Sequence, residues 1–137
     1  MAAYSTNDVI AVAEFRAALR QFLRRTERIA RQSDLTPQRY HLLLMVKGAP
    51  DGSERSTVTE LSERLQLAQS TVTELVSRAE ETGLLAREQS QDDARVAHLR
   101  LTAEGERRLS LAFTALATER SNLREVFRHL DESLVEI

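Results

Sequence analysis

Two helical patterns separated by three residues constrain this chain more than anything else in it. Val58 to Leu65 and Gln69 to Glu81 each carry apolar residues at helical spacing, and only Gln66-Leu67-Ala68 stands between them. In the first pattern Val58, Leu61 and Leu65 form a buried stripe. Thr57 and Glu60, three residues apart, have the spacing of a capping box that satisfies free N–H groups at the helix start. In the second, Val72, Leu75, Val76 and Ala79 fall at i, i+3, i+4 and i+7, an inward face. The rest of that helix carries Gln69, Ser70, Thr71, Thr73, Glu74, Ser77 and Arg78.

Gly83 ends the second helix, and Leu84-Leu85-Ala86-Arg87 leads into an extended run. Val96 to Leu101 alternates with period 2, placing Val96, His98 and Arg100 on one face and Ala97, Leu99 and Leu101 on the other. Between the runs lies a polar tip, Gln91-Asp92-Asp93-Ala94-Arg95. A tight helix pair followed by a two-stranded ribbon is the layout of a winged helix-turn-helix, whose second helix enters the DNA major groove. Glu54 to Ser56 has room to add a short third strand.

The flanks are helical. Asn7 to about Arg31 has no Pro or Gly, and its apolar residues, Ile10 and Phe15 among them, cover more than one stripe. A helix apolar on more than one side predicts a partner chain. Thr36-Pro37 begins the next helix as a capping hydroxyl and the residue favoured at the first position, with Gly48 as its C-cap and Pro50-Asp51-Gly52-Ser53 as a turn. Thr102 caps a helix with the apolar face Leu109, Ala112, Phe113 and Leu116; a break is expected near Ser121-Asn122. Leu123, Val126, Leu130 and Leu134 mark the last amphipathic helix.

Composition excludes several classes. The chain has no cysteine, hence no disulfide, thiolate metal site or thiol redox sensor. No run approaches the ~18 apolar residues of a membrane span, and no secretory signature opens the chain, so a cytoplasmic location is expected. No His-Asp-Ser grouping or glycine-rich phosphate loop argues for catalysis, so an enzyme is not expected. The net charge of −2 does not favour nucleic acid. Residues 51–100 hold 6 Lys/Arg against 10 Asp/Glu, so the DNA reading requires folding that turns acids away.

The residues LTPQRYHLLLMV (35–46), TVTELSERLQLAQSTVTELVSRAEETGLLAR (57–87) and DDARVAHLRLTAEG (92–105), in this order and spacing, resemble the multiple antibiotic resistance regulator (MarR) family of bacterial transcription factors. The resemblance implies a mainly α fold with a small β wing, a single MarR-like domain spanning 1–137. Residues 36–102 would form the winged-helix DNA-binding region, and 7–33 and 104–136 the dimerisation helices. It implies a homodimer on a pseudo-palindromic double-stranded DNA operator, often a repressor relieved by a small aromatic or phenolic effector, and no cofactor. By matching position, Asp93 and Arg95 correspond to the family's wing-tip Asp and Arg, and Ala94 stands where another Arg is common.

From residue chemistry, Ser70, Thr71 and the first-turn N–H groups of the Gln69 helix can bind phosphate. Gln69, Thr73 and Ser77 can reach base edges, Glu74 can accept from cytosine N4, Arg78 adds charge, and Arg95 can enter the minor groove with Asp93 orienting it. For an effector, Arg16, Arg20, Tyr40 and His41 can pair with a carboxylate or phenolate. Two other readings remain open: a winged-helix protein-interaction module, which the acidic segment favours, and a metal-responsive regulator using His41, His98 or His129.

Overall fold

A computed structural model of the chain describes the backbone of residues 3–133 and the side chains of residues 3–130. The predicted Leu134 contact lies outside the described residues. Eight elements follow in order: α1 (Thr6–Gln32), α2 (Pro37–Lys47), α3 (Val58–Leu65), α4 (Gln69–Glu81), β1 (Leu85–Gln89), β2 (Ala97–Leu101), α5 (Ala103–Ala115) and α6 (Ala117–Ser133). They group into a central unit, residues 30–112, and a terminal unit made of residues 1–29 and 113–137. The mainly α fold with a small β wing is therefore the observed one.

In the central unit, local chemistry sets each helix boundary. Thr36 accepts from the Arg39 N–H at 3.1 Å, Pro37 opens α2, and the Gly48 N–H closes it on the Leu44 carbonyl. The capping box of α3 is complete: Glu60 N–H donates to Thr57 Oγ1 at 3.2 Å, and Thr57 N–H donates to Glu60 Oε1 at 3.0 Å. Helix α3 ends in a left-handed residue that is not glycine. Gln66 has φ 56°, its N–H bonds the Glu63 carbonyl, and the Leu67 N–H reaches back to the Ser62 carbonyl. Helix α4 ends the same way at Gly83, φ +75°, with Leu84 N–H on the Ala79 carbonyl.

The sheet is one antiparallel pair with Leu85 opposite Leu101 and Gln89 opposite Ala97. The third strand reduces to a single bridge, Ser56 with Leu99, which exchange both backbone hydrogen bonds. The core of this unit collects Leu42, Leu43 and Val46 from α2, Leu61 from α3, Val72 and Val76 from α4, and Leu84 and Leu99 from the wing, all at 0% exposure. Of the inward stripes read from helical spacing, Leu61, Val72, Val76 and Ala79 are buried, while Val58, Leu65 and Leu75 are half-buried. Gly105 lets α5 meet the wing: a Cβ there would collide with the Leu84 carbonyl.

In the terminal unit, Phe15 of α1 meets Phe127 of α6 edge-on, ring centroids 4.8 Å apart. Two expectations are corrected. The chain breaks at Leu116, between α5 and α6, and Ser121-Asn122 lies inside α6. The break is held by Arg120, whose guanidinium donates to the Phe113 carbonyl at 2.6 Å and lies 3.9 Å over the Phe113 ring. Phe113, expected on the buried face, is instead 46% exposed. Val9, Ile10, Val12, Leu23 and Phe127 of the same unit are exposed as well.

Candidate nucleic-acid interface

The interface is built from α4 outward. With Val72, Val76 and Ala79 turned into the core, helical geometry leaves Gln69, Ser70, Thr71, Thr73, Glu74, Ser77 and Arg78 outside, and all seven are exposed. The N-cap of α4 is Ala68, which supplies no side-chain hydrogen bond, and the first turn contains no acid. The free N–H groups there stay open to an anion. Gln69 is partly tied back, its Nε2 donating to Thr59 Oγ1 of α3 at 3.4 Å.

At the wing tip Asp93 does orient Arg95. Asp93 Oδ1 accepts from the Arg95 backbone N–H at 3.0 Å and from Nε at 3.3 Å, while the Arg95 side chain remains 91% exposed. These bonds, the backbone one first, hold the Asp93 carboxyl below its ordinary range. The carboxylate therefore stays charged and the arginine stays projected outward.

Where the acids of this segment go answers the charge problem in part. Glu80 near the end of α4 pairs with Arg87 of β1 at 2.9 Å, and Glu88 pairs with Arg55 at 3.2 Å and with Arg100. Glu54 shares Lys47 with Glu106, at 2.9 and 2.8 Å; both bonds, Glu106 first, raise the lysine pKa. Glu74, however, pairs with Arg78 at 2.6 Å on the outer face of α4 itself. Both arginines expected to carry charge to DNA are thus already engaged by a neighbouring carboxylate.

Sequence reasoning missed the strut Glu80–Arg87, which ties β1 to α4, and Arg64, whose guanidinium donates to the Met45 and Gly48 carbonyls at 2.8 and 3.2 Å. Glu80–Arg87 leaves only a weak signal, opposite charges seven residues apart across a glycine. The effector candidates fall in different units. Arg16 and Arg20 are exposed on α1 of the terminal unit; Tyr40 and His41 lie on α2 of the central unit, their rings 5.6 Å apart, with Tyr40 only 4% exposed. His41, His98 and His129 stand on α2, β2 and α6, and among the described residues no group of three or more His, Asp or Glu could hold a metal ion. Among the described residues no helix is long and apolar enough to cross a membrane.

A helix-turn-helix with one uncapped, polar-faced helix, followed by a hairpin with an outward arginine, defines a winged-helix protein. Residues 33–96, the helix-turn-helix and most of the wing, match the MarR family model. The fold is shared with solved MarR-family structures. A MarR family transcription regulator superposes with a TM-score of 0.71 at 20% identity, over 85% of this chain and 75% of that one. The Mycobacterium tuberculosis regulator MosR, solved in complex with DNA, gives 0.60 at 25% identity over 82% and 78%. A mutant of Escherichia coli MarR complexed with operator DNA gives 0.64 at 16% identity over 96% and 88%. No curated protein matches the chain in sequence.

Proposed function

We propose that this protein is a sequence-specific, DNA-binding transcriptional regulator that acts as a homodimer on a pseudo-palindromic operator, as a repressor whose binding a small ligand relieves. The observation that carries the DNA reading is the outer surface of α4: polar along its length, open at its N-terminal N–H groups, and accompanied by a wing that holds Arg95 outward. DNA bound to MosR and to E. coli MarR, proteins of the same fold, supports it. Ser70, Thr71 and the first turn of α4 would hold phosphate. Gln69, Thr73, Glu74, Ser77 and Arg78 would face base edges, and Asp93 would set Arg95 for the minor groove.

The homodimer reading rests on the apolar side chains left exposed on α1, α5 and α6. Two-fold symmetry would place the two recognition helices in successive major grooves, about one helical turn apart. The effector reading rests on chemistry alone: Arg16, Arg20, Tyr40 and His41 suit an aromatic acid or phenol. Thermal-shift screening of aromatic acids against the wild type, Arg16→Ala and His41→Ala tests it, and a screen without any stabilising ligand points to a constitutive regulator.

Fluorescence anisotropy on duplexes from the DNA flanking the protein's own gene tests the central reading. Sequence-preferring, salt-dependent binding is expected. Binding to no duplex at low salt removes it in favour of a protein-interaction module, the reading that the acidic segment favours.

A further inference from the structure

Several ion pairs of the central unit tie separate segments together, while Asp93–Arg95 and the pairs of Glu104 with Arg107 and Arg108 stay local. Lys47 links α2 to Glu54 and to Glu106 of α5, Glu80–Arg87 links α4 to β1, and Glu88 of β1 gathers Arg55 and Arg100. Glu74–Arg78 joins nothing. Both residues lie on α4 one turn apart, their side chains are 63% and 62% exposed, and Arg78 Nη2 donates to Glu74 Oε1 at 2.6 Å. An exposed pair at this spacing adds little to helix stability. A carboxylate in the middle of a surface that faces phosphates also repels them. Stability and general DNA affinity therefore both leave this pair unexplained.

Its direction supplies an explanation. Long side chains on a helix lean toward the N-terminus, and the bond to Glu74 holds the Arg78 guanidinium over the preceding turn, toward the Ser70–Thr73 end. A guanidinium reads guanine by donating to O6 and N7, and a carboxylate beside it can accept from cytosine N4. We propose that Glu74 is a specificity-determining residue that positions Arg78 to read a G·C pair in the major groove, lowering affinity for DNA in general while raising discrimination between sequences. The inference rests on the DNA-binding reading and deepens it.

The test selects binding sequences from a randomised duplex pool with the wild type, Glu74→Gln and Arg78→Ala. Each is then titrated by anisotropy on the enriched duplex and on a scrambled one. The wild type should enrich a motif with a G·C pair in each half-site that Arg78→Ala no longer selects. Glu74→Gln should lose preference at that same pair, with discrimination falling about tenfold, within the range of one bidentate base contact. It should also bind the scrambled duplex more tightly, because a repelling charge is gone. Thermal melts of both variants should match the wild type, since the pair joins no two elements.

Retention of the pair by Glu74→Gln, loss at a different position from Arg78→Ala, or weaker binding to both duplexes overturns the inference while leaving DNA binding intact. A lowered melting temperature in Glu74→Gln assigns the pair a structural role and overturns it too. If the wild type enriches no motif, the DNA-binding reading itself falls and takes this inference with it.

Discussion

Asp93 and Arg95 show how much a single side-chain contact decides at the edge of this molecule. The carboxylate bonds both the backbone N–H and the guanidinium of a residue two positions on, so the wing tip is ordered around one arginine. Arg95→Ala is expected to weaken DNA binding and to lower its salt dependence, as removal of one cation from the minor groove does. Anisotropy titrations between low and moderate salt measure both. A second single-residue effect concerns acid. Hydrogen bonds from Arg107 and then Arg108 pull the Glu104 carboxyl down from 4.5 to about 2. A depressed folded-state pKa contributes stability above the unfolded value, lost as pH falls through the folded one. Part of the acid destabilisation between pH 4.5 and 2 should therefore vanish in Glu104→Gln, read as urea midpoints against pH. The Asp93–Arg95 contact is legible from sequence because an aspartate side chain readily bonds the backbone N–H two residues on, here inside a turn closed by the Val96 N–H on the Asp93 carbonyl. Glu80–Arg87 and Arg55–Glu88–Arg100 are not, because they depend on the reversal at Gly83 and on strand register.

Helix boundaries in the central unit follow from short-range chemistry, and so they could be read residue by residue. Thr57→Ala removes one half of the α3 capping box and should cost about 1 kcal/mol, measured by urea denaturation. Gly105→Ala should cost more, about 1–3 kcal/mol in the same assay, because its methyl group meets the Leu84 carbonyl. The need for glycine at 105 was invisible in sequence, where it sits as an ordinary residue near a helix start. The α5–α6 break was misplaced for a related reason. Ser121-Asn122 has the local signature of an interruption, since both side chains compete for backbone hydrogen bonds. The chain instead breaks at Leu116, where the Arg120 guanidinium takes the Phe113 carbonyl. No propensity scale carries a contact seven residues away.

For the whole molecule, the exposed apolar side chains of the terminal helices set the expectation of a dimer. Phe127→Asp, at a side chain 49% exposed, should shift sedimentation toward the monomer and weaken DNA binding with it. A variant that stays dimeric would move the interface elsewhere. The charge balance was legible as a number, a net −4 over residues 51–100, but its arrangement was not. Folding places Glu54, Glu80 and Glu88 in bridges between elements, and leaves Glu74 and Asp93 beside the two arginines of the proposed reading surface. That arrangement has a kinetic consequence. A surface whose cations arrive already neutralised projects little field into solution, so encounters with DNA are not steered and should proceed at the ordinary ~10⁵–10⁷ M⁻¹s⁻¹ of unsteered docking. Occupancy of a site is then governed by how slowly the protein lets go. A regulator of this kind would find its operator unhurriedly, and would hold it by the fit of a few side chains, not by attraction felt from afar.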